Sequence, residues 1–161
     1  MSRSRLSSSL GPSLDRLYAE FNVEHSVDDP VWRVHRYSRP GDREVCALIA
    51  SALAFGRVQS VLNSVDGMLA VMGDSPAAFT RNFDPQRDRR AFAHLVHRWT
   101  NGADFAALVW IMRQMIEQSG SIENFFAEGL TPDAADVGDA LESFSTRALA
   151  LDVSAVYGRS R

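Results

Sequence analysis

The sequence predicts an all-α fold, a compact bundle of seven or eight helices with no sheet. Apolar residues recur at intervals of three and four along most of the 161 residues, the spacing that lines one face of a helix. Proline and glycine fall mostly where such stretches begin and end. No run of four to eight residues alternates apolar and polar between turn signals, so no strand is required. With 45% apolar and 23% charged residues, the composition is that of an ordinary globular domain and argues against a disordered, collagenous or membrane-spanning chain.

Residues 1–12 read as a flexible tail, with Arg3, Arg5 and five serines but no acid and no apolar segment of a secretory signal. A helical domain is expected over 13–152 and a second tail over 153–161. Ser13 is placed to cap a first helix with Leu14, Leu17, Tyr18 and Phe21 on one face, fading near Asn22. Asp28-Asp29-Pro30 to Arg39-Pro40-Gly41 reads as a loop that holds Trp32 to Tyr37 outside regular structure or in a single turn.

Asp42 is expected to cap the next helix, with Glu44 complementing its dipole and Gly56 ending it. From Val45 to Phe55, ten of eleven residues are apolar, too short a run for the roughly 17 to 25 residues of a spanning helix. It predicts a central core helix buried on every side. Val58, Val61, Leu62, Val65, Met68, Leu69 and Met72 then keep helical spacing up to Gly73. The opposite face of that helix, Gln59, Ser60, Asn63, Ser64 and Gly67, is polar but nearly uncharged, which fits a partner contact, cover by other chain or plain solvent.

Ser75-Pro76 and Asp84-Pro85 mark two short helices, the second carrying a basic run and ending around Trp99. After the turn Thr100-Asn101-Gly102, Phe105, Leu108, Val109, Met112, Met115 and Ile116 define a long buried helix. Ser121 caps a short one through Phe125 and Phe126. Beyond Gly129 the anchors thin to Leu141, Phe144, Leu149 and Leu151.

All 17 basic residues are arginine, which removes Schiff-base chemistry and a phosphate-loop lysine from consideration. The net charge of −3 is uneven: residues 1–116 hold 14 arginines against 12 acids, and residues 117–161 hold 3 against 8. The single cysteine, Cys46, cannot form an internal disulfide and reads as a small buried hydrophobe in a reducing, cytoplasmic setting.

Few residues point to chemistry. His25 and His35 stand apart, while His94 and His97 sit at helical ligand spacing without a patterned third ligand, so neither a metal nor a cofactor is implied. Asp42, Glu44 and Asp104 stand at helix starts, where capping accounts for them. No nucleophile elbow or glycine-rich phosphate loop is present. Two clusters remain. Trp32, Arg33, His35, Arg36 and Tyr37 combine rings that can stack on bases with guanidinium groups that can reach phosphates, or else plug the core while the arginines snorkel. Gly56-Arg57 either caps a helix or presents backbone amides and one arginine at an exposed turn between two buried helices.

At these residues the sequence resembles a bacterial family, domain of unknown function 2400. The resemblance rests on Arg36-Tyr37 with Asp42-x-Glu44, on Ala47-Leu48-Ile49-Ala50-Ser51-Ala52-Leu53-Ala54-Phe55-Gly56-Arg57-Val58, and on Met72-Gly73 with Pro76. It continues through His97-Arg98-Trp99 with Gly102-x-Asp104 and Gly120-Ser121-Ile122-Glu123 with Phe126, spanning roughly residues 30–126. The family usually has tyrosine where Phe55 stands and tyrosine-arginine-phenylalanine in place of His97-Arg98-Trp99. It is itself distantly similar to the helix-hairpin-helix DNA glycosylases. That similarity implies a turn, Phe55-Gly56-Arg57 with Gln59, lying where those enzymes approach an extruded base. Motifs expected further along such a family domain, including one like the glycosylases' catalytic aspartate region, do not occur here. The resemblance therefore implies a truncated domain with an atypical ending, bare flanks on its second and third helices, and no catalysis of its own.

The expected function is nucleic-acid contact, with DNA as partner, through Arg36, Tyr37, Gly56, Arg57 and Gln59. The rival expectations are a helical module that self-associates or binds protein through exposed helical faces, or a non-functional truncated product. No membrane association is expected.

Overall fold

The computed structural model describes residues 3–21 and 28–158, with side chains from residue 10 onward; His25 lies outside these residues. The elements are α1 (Arg3–Glu20), α2 (Val31–His35), α3 (Pro40–Ala52), α4 (Val58–Met72), α5 (Pro76–Asn82) and α6 (Pro85–Asp88). A 3₁₀ turn (Arg89–Phe92) and a hairpin, β1 (Val96–His97) and β2 (Thr100–Asn101), follow. The chain closes with α7 (Gly102–Ser119), α8 (Ile122–Ala127), α9 (Gly138–Leu149) and α10 (Ser154–Tyr157). The fold is all-α as expected, apart from this hairpin, whose two-residue strands pair antiparallel as Val96 with Asn101 and His97 with Thr100.

The core is the shared interior of α3, α4, α5 and α7. Val45, Cys46 and Ile49 of α3, Val65 and Met68 of α4, and Val109 and Met112 of α7 are completely or almost completely buried. Phe83 and Phe92 close one end, with rings 6.2 Å apart in edge-to-face contact. The proline start signals act as expected: the Ser75 hydroxyl accepts from Ala78 N and the Asp84 carboxylate from Gln86 N and Arg87 N.

The carboxylates at the start of α3 act across the fold rather than on their own helix. Arg39 occupies the N-cap position of α3 and makes no side-chain cap. Asp42, 3% exposed, instead accepts from the Ser75 hydroxyl at 2.8 Å and from Ala77 N at 2.9 Å, joining α3 to the start of α5. Glu44 likewise accepts from Ile122 N at 2.9 Å, at the start of α8. Both carboxylates meet unsatisfied helix-start donors, where negative charge is favoured. The correction to the expected cap of α3 is thus one of address: the donors belong to other helices.

Other expectations are revised. Helix α1 starts at Arg3, ahead of Ser13, with Pro12 inside it; in the sequence, Leu6 and Leu10 continue the four-residue spacing of Leu14 back through the supposed tail. Helix α3 is not buried on every side, because Ala47 and Ser51 are exposed and border, with Val31 and Val34 of α2, an apolar groove of about 330 Å³. The helix expected to reach Trp99 breaks after Phe92 into the hairpin, so His94 and His97 share no helical face. Residues 153–158 are not a tail: Val156 is buried, and the Tyr157 hydroxyl donates to Asp104 at 2.6 Å.

Two outcomes follow. Asp42→Ala leaves the start of α5 without its buried acceptor and lowers unfolding free energy by about 2–3 kcal/mol, against about 1 kcal/mol for Asp84→Ala, a local cap; urea melts measure both, and equal losses contradict the cross-helix role. Burial pushes the Cys46 thiol up to about 11 from an ordinary 9.0. The neutral thiol therefore contributes its full stabilisation below the unfolded value, and this is lost as pH rises through the folded one. At pH of about 8 a thiol reagent reacts with Cys46 only after denaturation.

Candidate nucleic-acid interface

The chain between α3 and α4 makes a tight exposed corner. Helix α3 stops at Ala52, Phe55 N donates to Leu53 O at 2.7 Å, and Gly56 takes φ +110°. That conformation suits glycine alone among the common residues. Space makes a second demand, since a Cβ on Gly56 would stand 3.1 Å from Arg98 Cδ. The Arg98 side chain thus passes directly over the glycine. Gly56 is not the cap that ends α3, as expected, but the pivot of the corner four residues later.

The β1–β2 hairpin is the other half of this corner. Its turn is Arg98-Trp99, with Arg98 at φ +55°, a left-handed conformation uncommon for a residue with a side chain. The turn is held by what flanks it. The Thr100 hydroxyl donates to His97 O at 2.7 Å, and Asn101 with Asp104 forms a capping box on α7. Gly102 packs so closely that a Cβ there would fall 2.5 Å from Phe92 O.

His97, 2% exposed, locks hairpin to corner. Its Nε2 lies 2.9 Å from Phe55 O and its Nδ1 2.9 Å from the Ser64 hydroxyl. A carbonyl oxygen only accepts, so Nε2 carries hydrogen. The Ser64 hydroxyl, also 2.9 Å from Ser60 O, has one hydrogen to serve both neighbours. The Phe55 ring meets His97 edge-on at 4.6 Å and stacks on Trp99 at 5.0 Å with 20° between planes. Trp99 nevertheless remains 74% exposed, and the Arg98 guanidinium carbon lies 5.4 Å from its ring centre.

This arrangement divides the nearly neutral face of α4. Ser64 and Gly67 lie under the hairpin, with Leu95 Cδ2 only 3.0 Å from where a Gly67 Cβ would be. Gln59 stays exposed beside Arg57, its amide donating to Asn63 Oδ1 at 2.9 Å. Two of the five residues of that face are therefore partly covered by the chain itself, and three are open.

Arg36 and Tyr37 are not part of the corner. Arg33 forks onto Asp66, Nε to Oδ1 at 3.1 Å and Nη2 to Oδ2 at 2.8 Å, and this hydrogen bonding raises the arginine's pKa. Arg36 Nη1 lies 3.7 Å from the same carboxylate. Asp66 is nine residues beyond Arg57, about 13 Å along the helix at ordinary rise. Arg36 and the half-buried Tyr37, whose hydroxyl burial pushes up, border an open cleft of about 590 Å³ with Asp66 and Asp74. Acidic walls make that cleft a poor anion site. Within the basic run, Arg87 pairs with Asp88 at 2.7 Å and Arg89 donates to Val156 O, and Arg90 makes no ion pair among the described residues.

Arg57 and Arg98 likewise have no carboxylate partner among the described residues. Among those residues no three histidine, cysteine, aspartate or glutamate side chains gather as metal ligands. Sequence reasoning missed Arg98 and Trp99 as site residues because it placed them on a helix. The Thr100-Asn101-Gly102 turn signal immediately after them was the available clue.

A family model described as Protein of unknown function (DUF2400) matches residues 29–158. The chain belongs to this family. The match passes through the whole corner and hairpin and runs on to residue 158, beyond residue 126 where the quoted resemblance ends. No curated protein and no solved structure matches the chain. For this DUF2400 member, His97→Ala removes both hydrogen bonds of the lock and opens a cavity, with an expected loss of about 2–3 kcal/mol. Thermal melts measure it, and an unchanged melting temperature would show that His97 does not hold the corner.

Proposed function

We propose that this chain binds nucleic acid, with DNA as partner, through the α3–α4 corner and the hairpin turn. The observation that carries the reading is the Arg98 side chain drawn across Gly56, which sets two arginines without carboxylate partners, Arg57 and Arg98, around one exposed glycine. Arginines in that state are available to phosphate oxygens, and a glycine turn admits close approach of a backbone. Gln59, exposed one turn into α4, adds neutral hydrogen-bonding capacity. Arg36 and Tyr37 are a secondary contact in this reading, because Asp66 already draws on the Arg36 charge. Kinship of the corner with that of the helix-hairpin-helix DNA glycosylases belongs to the same proposal. It is a proposal of binding without catalysis: Asp42, Glu44 and Asp104 are all engaged as caps.

The test is fluorescence anisotropy with a labelled DNA across a salt series. Arg57→Ala with Arg98→Ala is expected to flatten the slope of log K against log salt by about 1.5 to 2, roughly one phosphate per arginine. Adding Arg36→Ala changes it further by less than one. No binding at low salt, or binding indifferent to the double substitution, refutes the reading.

One observation favours a second reading, a helical interaction module. Leu10, Leu14, Leu17 and Tyr18 of α1, with Phe21 just beyond it, form an exposed apolar stripe, and the α2–α3 groove is also bare. Light scattering over a dilution series decides: self-association lost on Leu14→Glu with Leu17→Glu supports it, and a strictly monomeric chain counts against it.

A further inference from the structure

We infer that Trp99, backed by Phe55, is a stacking site for an unpaired nucleobase, so that the corner's preferred ligand is single-stranded rather than duplex DNA. The inference rests on the nucleic-acid reading above and specifies its substrate class. A tryptophan with 74% of its surface in water forgoes most of the hydrophobic gain of burial. Here, however, the exposure comes with a fixed mounting. The ring is stacked on Phe55 at 5.0 Å, Phe55 is held through its carbonyl by His97, and the turn bearing Trp99 sits between a left-handed Arg98 and the capped start of α7.

A base that stacks on a ring already oriented loses less freedom than one that must also order the ring. Backbone strain persists where surrounding structure over-determines it, and such places gather at binding sites. The two flanking residues supply the other half of nucleotide recognition. The Arg98 guanidinium carbon lies over the Trp99 ring, 5.4 Å from its centre, and Arg57 follows Gly56 at the corner, so a base that stacks there takes the place of the Arg98 guanidinium and leaves it for a phosphate. Flat rings beside arginines without carboxylate partners describe a surface for single strands, because a base paired within a duplex has no free face to offer. A purely electrostatic site would need the arginines and no ring.

The experiment compares the full chain with Trp99→Ala and Trp99→Phe, each binding labelled oligo-dT or a duplex of equal length at one low salt concentration. Trp99→Ala is expected to weaken oligo-dT binding by about 5- to 100-fold, the range for one lost base–aromatic stack. Duplex binding and the salt slope stay unchanged, and Trp99→Phe recovers part of the loss. Saturating oligo-dT is also expected to quench a component of tryptophan fluorescence that Trp99→Phe removes, which separates Trp99 from Trp32 and Trp110. Because Trp99 is mostly exposed, Trp99→Ala is expected to lose little beyond its stack on Phe55, and both variants are expected to remain cooperatively folded. If the unsubstituted chain binds neither DNA, the nucleic-acid reading fails and this inference fails with it. If it binds DNA but Trp99→Ala affects oligo-dT and duplex equally, or neither, the stacking inference alone is overturned. A self-association abolished by Trp99→Ala also overturns it.

Discussion

Helix α3 is the constraint on which the rest of the structure depends, and its hold is electrostatic at one end and steric at the other. At its start, Asp42 and Glu44 reach sideways to satisfy the first amides of α5 and α8. Three helix starts thereby converge on a region where negative charge is favoured. Along its length Val45, Cys46 and Ile49 are sealed in the core cluster that α4, α5 and α7 also line. At its end the chain must reverse within a few residues to lay α4 alongside, and only a glycine at φ +110° with nothing on its α-carbon permits both the reversal and the passage of Arg98.

From that corner the candidate site follows. His97 couples Phe55 to Ser64, so the hairpin turn is registered against both helices rather than hanging free. Stacking Phe55 on Trp99 carries the order of the core outward to an exposed aromatic ring. Charge is distributed accordingly. Arginines near Asp66 and Asp88 are engaged in pairs, and Arg57 and Arg98 around Gly56 have no carboxylate partner among the described residues.

The places where sequence reasoning went astray share a cause. The stretch after Asp84-Pro85 keeps enough helical spacing to pass for one helix, yet Phe92 must bury fully beside Phe83 and His97 must reach Phe55, demands a straight helix cannot meet together. Tertiary packing therefore broke it into a turn and a hairpin. The neutral face of α4 was ambiguous because cover by the same chain and contact with a partner select the same small polar residues. Ser64 and Gly67 proved to be covered, Gln59 and Asn63 open.

Local rules, read from single residues and their spacing, were sufficient for the all-α class, for the starts of α5, α6 and α8, and for the burial of Cys46, because caps, prolines and apolar periodicity act over one or two turns. The destinations of Asp42 and Glu44, the bare side of α3 and the union of Phe55, His97 and Trp99 were decided only in three dimensions. The contacts of Asp42, Glu44 and Phe55 join residues more than thirty positions apart, and nothing in a local pattern records which distant amide, ring or imidazole packing will bring into contact.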